Sequence, residues 1–314
     1  MDRHFWKGCV GAALLIAAIA APTPAAAQFV TFRFAAGQEG GVWMALAAAL
    51  KPIWENNLST AAIQWIPGDA VSNVTAIEEG DADIAFGNSI TTADAIEGRA
   101  PFKKKHTNVC QLAVLYLHAL HVLASPEAKV ETIADLKGKT VAVPGKGEAA
   151  EVVAQQILNA SGVGGNLVKT VSATTAEALK LLREGKVDAA MVGDGVPAAD
   201  ITELASEKEI VIVGVPADNI STLEQSNMGF LTATLQPGTY PKQQNEALAA
   251  GYGVQVLAPC NLLDRRAFNI TRVLVESLSQ LTSVEKSIED TDKGLMGADF
   301  GTPHHAAVGI IHDT

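Results

Sequence analysis

Cysteine is almost missing from this sequence: 314 residues hold three, and one of them, Cys9, lies close to the N-terminus. No Cys-x-x-Cys pair or Cys/His spacing of the metal-binding kind occurs, so nothing announces a structural zinc or a thiol redox centre. Basic residues are also short, with Lys+Arg 23 against Asp+Glu 34 and a net charge of -11, which makes nucleic acid a poor candidate partner. The glycine-rich stretches lack the Lys and Ser/Thr of a phosphate-binding loop and the spacing of a dinucleotide fingerprint, so no nucleotide cofactor is expected. There is no Gly-x-Ser-x-Gly elbow, and neither Cys110 nor Cys260 has the sequence context of a nucleophile. With no assembled acid, base or nucleophile, the expectation is binding and not turnover.

Beyond the N-terminal stretch no segment offers about 18 consecutive apolar residues, so no later transmembrane helix is expected. The N-terminus itself reads as a cleavable export signal over residues 1–27. Arg3 and Lys7 form a basic start, Gly8 to Ala21 an apolar core, Pro22 and Pro24 a break, and Ala25 to Ala27 the small residues before the cut. Cys9 precedes the apolar run, whereas a lipid-modified cysteine would end it. The mature chain is therefore expected outside the cytoplasm, in the periplasm. There Cys110 and Cys260 have two futures: a disulfide, which such a compartment preserves, or two buried thiols.

What is present is alternation. Short β-branched runs begin near Val30, Ala62, Asp83, Val109, Lys139, Val168, Val187 and Glu209, and longer Ala-rich amphipathic runs lie between them. This is the pattern of an α/β protein with helices on a mostly parallel sheet. Helix starts are expected at Gly40 and Gly41, Asp69, Ser89, Gly147, Thr174 and Pro197. One internal echo stands out: Glu79-Gly80-Asp81-Ala82-Asp83-Ile84-Ala85 resembles Glu184-Gly185-Lys186-Val187-Asp188-Ala189-Ala190. In each copy a helix should stop at a glycine and turn at once into a buried strand opened by aspartate.

A mature length of about 287 residues and this repeated design predict two α/β lobes. The first is expected to comprise residues 28–121 plus 250–314 and the second residues 122–249, joined by a two-stranded hinge that lets them close over a ligand. Ligands of such sheets bind outside the carboxyl ends of the strands. Two glycine-rich strand-to-helix turns fall there. Phe34 to Trp43, with Gly40, Gly41, Val42 and Trp43 at the helix start, offers backbone N–H groups to an anion. Val143 to Glu148 repeats the design with Lys146, Gly147 and Glu148. Ser72, Asn73, Asn88, Ser89, Asp194 and Gly195 are short polar or glycine positions near strand ends, suited either to a cleft or to capping a helix. A metal site is not expected: a strand places His118 and His121 on opposite faces, and no His-x-x-Glu-His helix accompanies them or His304, His305 and His312.

The ordered set Gly37 to Trp43, Gly68 to Asn73, Gly80 to Phe86, Tyr116 with His121, Asp135 to Lys139, Gly185 to Asp188, Gly195-Val196-Pro197 and Pro237 to Pro241 resembles the TAXI solute-binding proteins, receptors of one class of TRAP transporters. The resemblance implies a type II periplasmic-binding fold, capture of a small organic acid such as a dicarboxylate or acidic amino acid, and delivery to membrane subunits driven by an ion gradient. It adds Tyr116 to the ligand-binding candidates. The nearest alternatives are an ABC-type binding protein and, further off, a periplasmic enzyme on the same fold.

Overall fold

The computed structural model describes residues 30–58, 61–146 and 149–309. The expected export signal and the turn residues Gly147 and Glu148 lie outside them. Strands begin within two residues of every position expected from sequence. The first unit runs β1 (Val30–Ala35), α1 (Val42–Asn57), β2 (Ala61–Ile66), α2 (Ala70–Glu79) and β3 (Ile84–Asn88), with parallel strand order β2-β1-β3. After α3 (Ser89–Glu97) comes β4 (Val109–Ala124). The second unit runs β5 (Thr140–Val143), α4 (Ala149–Ala160), β6 (Lys169–Ser172), α5 (Thr175–Arg183) and β7 (Ala189–Asp194), again parallel, in the order β6-β5-β7. There follow α6 (Ala199–Glu207), β8 (Val211–Ile212), α7 (Ala217–Ser226), β9 (Phe230–Leu235), β10 (Ala247–Pro259) and α8 (Asp264–Glu276).

The internal echo is thus a repeated βαβαβ unit, and the copies match in chemical detail. Gly80 and Gly185 both take the left-handed conformation, at φ 76° and 68°, which glycine adopts without a Cβ penalty. Asp83 donates its N–H to the Arg33 carbonyl at 2.9 Å and its carboxylate accepts the Arg33 N–H at 2.8 Å. Asp188 does the same with Thr140, both bonds at 2.8 Å. Each aspartate clamps the start of its strand to the first strand of its unit.

The expectation of a mostly parallel sheet holds within each unit and fails between them. The order β2-β1-β3-β10-β4-β7-β5-β6 places β10 and β4 at the centre, and each pairs antiparallel with every named strand beside it. Length lets these two strands span both units. β4 has 16 residues and β10 has 13, so each serves one unit with one end and the other unit with the other. In β10, Val254 to Leu257 pair with β3 while Ala247 to Tyr252 pair with β9; in β4, Ala119 to Ala124 pair with β7. Both are nearly continuous apolar runs because successive residues, which point to opposite faces of the sheet, are buried alike.

The core of the first unit gathers around Phe34, Leu46, Leu50, Trp54 and Phe86, with the α1 residues recurring at helical spacing. Trp54 reaches the C-terminal segment, donating from its indole N–H to the Ile270 carbonyl of α8 at 3.3 Å. Of the two cysteine outcomes the protein takes the disulfide: Cys110 in β4 bonds Cys260, the residue after β10, across 150 residues of sequence.

Candidate functional site

The carboxyl ends of β3 and β7 lie beside β10 and β4 where these pass from one unit to the other, and β1 and β5 run parallel to them one strand further out. His118 of β4 stands directly opposite Tyr252 of β10, and Asp194, the last residue of β7, pairs with Ala119 next to it. His118 Nδ1 lies 3.2 Å from the Tyr252 hydroxyl. Its ring also meets Tyr116, two residues back on the same face of β4, at a centroid distance of 5.0 Å. Glu285, which opens a short 3-10 turn (Lys286–Asp290) in the C-terminal segment, completes the group. One ligand atom each from His118, Asp194 and Glu285 lie within 4.8 Å of one another, and this is the cluster suited to holding a metal among the described residues.

Glycines allow the close approach. A Cβ on Gly195 would lie 2.6 Å from the Ser287 Cβ, and one on Gly193 would lie 2.5 Å from the Ala150 Cβ of α4 and 3.3 Å from the Tyr252 hydroxyl. The end of β7 can therefore touch the 3-10 turn on one side and α4 on the other only without side chains at those positions.

The electrostatics follow from burial. The Asp194 carboxyl is pushed up to about 6, first by burial and then by the negative charges of Glu285 and Asp200, against the Gly195 N–H that bonds it. Burial lowers His118 to about 4, so its imidazole is neutral at physiological pH. The Tyr116 hydroxyl is raised well above its ordinary value by burial, then by Glu285 and Tyr252; the Trp43 side chain opposes this and Asp194 adds to it. His118 Nε2 has no hydrogen-bond partner among the described residues although it is shut off from solvent, and the equally buried Tyr116 hydroxyl has the Trp43 side chain as its neighbouring donor.

Of the residues chosen from sequence, Trp43, Tyr116, Asp194 and Gly195 converge here. Trp43 leans on Phe86 with centroids 5.8 Å apart and lies at the start of α1, where Gly41 supplies no side-chain cap, so the first N–H groups at Val42 and Trp43 have no partner within the helix. Gly40 gives the turn its φ of 81°. Four others have their polar atoms engaged inside the protein. Asn73 donates to the Ala36 and Phe86 carbonyls at 2.6 and 2.9 Å, tying the ends of β1 and β3 together. Asn88 caps α3 through Thr91, and Ser72 forms a capping box with Asp69. Ser89 donates to the Gly229 carbonyl and accepts the Gly253 N–H. Lys146 is exposed on the turn after β5.

Tyr252, Glu285 and Ser287 were not found from sequence. Gly251-Tyr252-Gly253 carries no ligand-binding signature, and nothing local distinguishes Glu285 from the other acids of the chain. His121, three residues from His118, faces the other way: its Nε2 meets the Tyr240 hydroxyl at 2.7 Å in the second core. A surface depression of about 400 Å³ lies at the opposite end of the sheet, lined by residues such as Glu78, Asp83, Asn108 and Arg266. It adjoins the start of β3, the end at which ligands of such sheets do not bind.

Solved structures share this architecture. MatC from Rhodopseudomonas palustris with bound malate is 14% identical, with 84% of this chain and 89% of that chain covered and a TM-score of 0.51. A Xanthomonas citri protein bound to ATP is 10% identical, covering 83% and 89%, with a TM-score of 0.52. The periplasmic aliphatic sulphonate binding protein SsuA from Escherichia coli is 15% identical, covering 83% and 75%, with a TM-score of 0.47. The first two likenesses define the class: an α/β protein of the type II periplasmic-binding fold. Within it, a family model described as NMT1-like family matches residues 34–307, and the chain belongs to the NMT1-like family.

Proposed function

We propose that this protein is an extracytoplasmic solute-binding receptor of a TRAP-type secondary transporter, of the TAXI kind. It captures a small organic acid, a dicarboxylate or acidic amino acid, between two lobes and hands it to the membrane subunits. Residues 1–27 export it to the periplasm. The lobes are residues 28–121 with 250–314 and residues 122–249, and the passage of β4 and β10 between the two repeated units supports those boundaries. It binds its solute without converting it, and needs no nucleotide.

The observation that carries this reading is the convergence of the strand ends of both units on His118, Tyr252 and Asp194, with Trp43 and Tyr116 as aromatic walls. Bending β4 and β10 near this point changes the distance between the two walls, which is the closing motion of a two-lobed binder. A thermal-shift panel of carboxylates, amino acids and sugars on the mature chain tests it, with mass analysis for conversion of the solute. A ligand at 100 times its Kd stabilises the folded state by about 2.7 kcal/mol, enough to raise the midpoint by a few degrees. Failure of every acid to shift the midpoint would refute the organic-acid reading.

A further inference from the structure

An anion entering this cleft meets two carboxylates, and among the described residues neither Asp194 nor Glu285 forms a salt bridge. Each has one oxygen anchored and one to spare. Asp194 Oδ1 accepts the Gly195 N–H at 2.8 Å, and Glu285 Oε1 accepts the Ser287 N–H at 3.0 Å and its hydroxyl at 2.6 Å. The second oxygens have no donor among the described residues. The same cluster holds His118, whose buried Nε2 has no partner among the described residues, and close by is the hydroxyl of Tyr116, which is 0% exposed, meets the Trp43 side chain and feels the charges of both acids. A buried polar group left unpaired costs about 1–3 kcal/mol, so an orphaned imidazole nitrogen in one cluster with two unneutralised acids points to something missing from between them.

We propose that His118 Nε2, with the free oxygens of Asp194 and Glu285, holds a first-row divalent cation, zinc foremost, whose open coordination position receives a carboxylate of the solute. The carboxylate part of this assignment rests on the receptor reading above; the cation part stands on the cluster alone. One imidazole nitrogen and two carboxylate oxygens form a three-ligand set that leaves a position open, and the imidazole favours zinc and its neighbours over calcium or magnesium. Tyr252 orients the ring: with Nδ1–H donated to its hydroxyl oxygen at 3.2 Å, Nε2 is left bare for the metal. One nitrogen of His118 and one oxygen of each acid already lie within 4.8 Å of one another and must draw in to the roughly 3.4 Å separation of a tetrahedral zinc site, a movement of about 1 Å that rotation of the half-buried Glu285 side chain supplies. The bound cation would turn a repulsive cleft floor into an attractive one and give Tyr116 a coordinated oxygen to bond.

The test uses the mature chain stripped with a chelator, then titrated calorimetrically with zinc, manganese and calcium, with metal content measured after dialysis. One zinc per chain is expected, with calcium weaker. Asp194→Asn and Glu285→Gln should each weaken zinc by about tenfold or more, with His118→Gln as a third variant and the midpoint in chelator confirming that each folds. Absence of stoichiometric zinc, or equal affinity in all three variants, would overturn the site. The solute panel is then run with zinc and with chelator. Shifts that require zinc support the bridge, whereas equal shifts in chelator overturn it and leave the receptor reading standing. A response confined to amines in chelator would assign the cluster to an ammonium group and overturn the metal. Zinc binding with no solute response would uphold the cation site and defeat the receptor reading.

Discussion

Replacing Asp194 with asparagine should make the metal-free protein more stable at neutral pH, although the residue lies in the cleft. Its carboxyl is raised from 3.8 to about 6 by burial, then by Glu285 and Asp200. The folded state therefore holds the Asp194 proton more tightly than the unfolded chain does. Below the unfolded value both states are protonated and no penalty exists; between about 4 and 6 the penalty grows, and above about 6 it is complete. A shift of this size corresponds to about 3 kcal/mol, an upper figure since water partly reaches the group. Asparagine keeps the oxygen that accepts the Gly195 N–H while removing the charge. Urea unfolding of wild type and Asp194→Asn in chelator, at about pH 4 and about pH 7.5, should show a variant more stable by about 2–3 kcal/mol at the higher pH and nearly equal at the lower. The titratable groups around this carboxyl are Glu285, Asp200, His118, Tyr116 and Tyr240, so Glu285→Gln should lessen the effect. A variant less stable at neutral pH, or a difference independent of pH, would refute the electrostatic account of the cleft.

Trp43→Ala should weaken solute binding by about tenfold, the equivalent of one aromatic contact, in a calorimetric titration; unchanged affinity would remove the α1 turn from the site. Tyr240→Phe leaves the Ala198 N–H, 3.0 Å from the lost oxygen, and His121 Nε2 unpaired. It should lower unfolding stability by about 1–3 kcal/mol with solute affinity unchanged. Reducing the Cys110–Cys260 bond releases a loop of 150 residues, for which chain entropy gives at most about 5 kcal/mol, so thermal scans with reductant should show a clearly lower midpoint. His118 and His121 are each lowered to about 4, chiefly by burial, so the folded state resists taking up their protons. Stability should fall as pH drops from about 6.5 to about 4, more steeply in Asp194→Asn, where no opposing carboxyl remains.

Local chemistry made the repeated units legible. Glycine stops, strand-opening aspartates and β-branched runs are written in adjacent residues, and Asp83 with Asp188 fell into matching hydrogen bonds. The centre of the sheet was not legible in the same way. That β4 continues for 16 residues and sets His118 against Tyr252 is a matter of register between segments 134 residues apart, which no local pattern specifies. The site divides along the same line. Trp43 and Asp194 follow from strand-end rules, whereas Glu285 arrives from the C-terminal segment by tertiary packing alone. Asn73, Asn88 and Ser89 show why short polar residues after strands are ambiguous: caps and braces need the same side chains as ligands.

The most direct test of a solute held between the two units is a crystal structure of the mature protein with the compound that raises its midpoint most. The account predicts that compound between Trp43, Tyr116, His118 and Asp194, with the units drawn together by bending of β4 and β10. A compound seated instead in the depression beside Glu78 and Arg266, with the cleft empty and open, would contradict it.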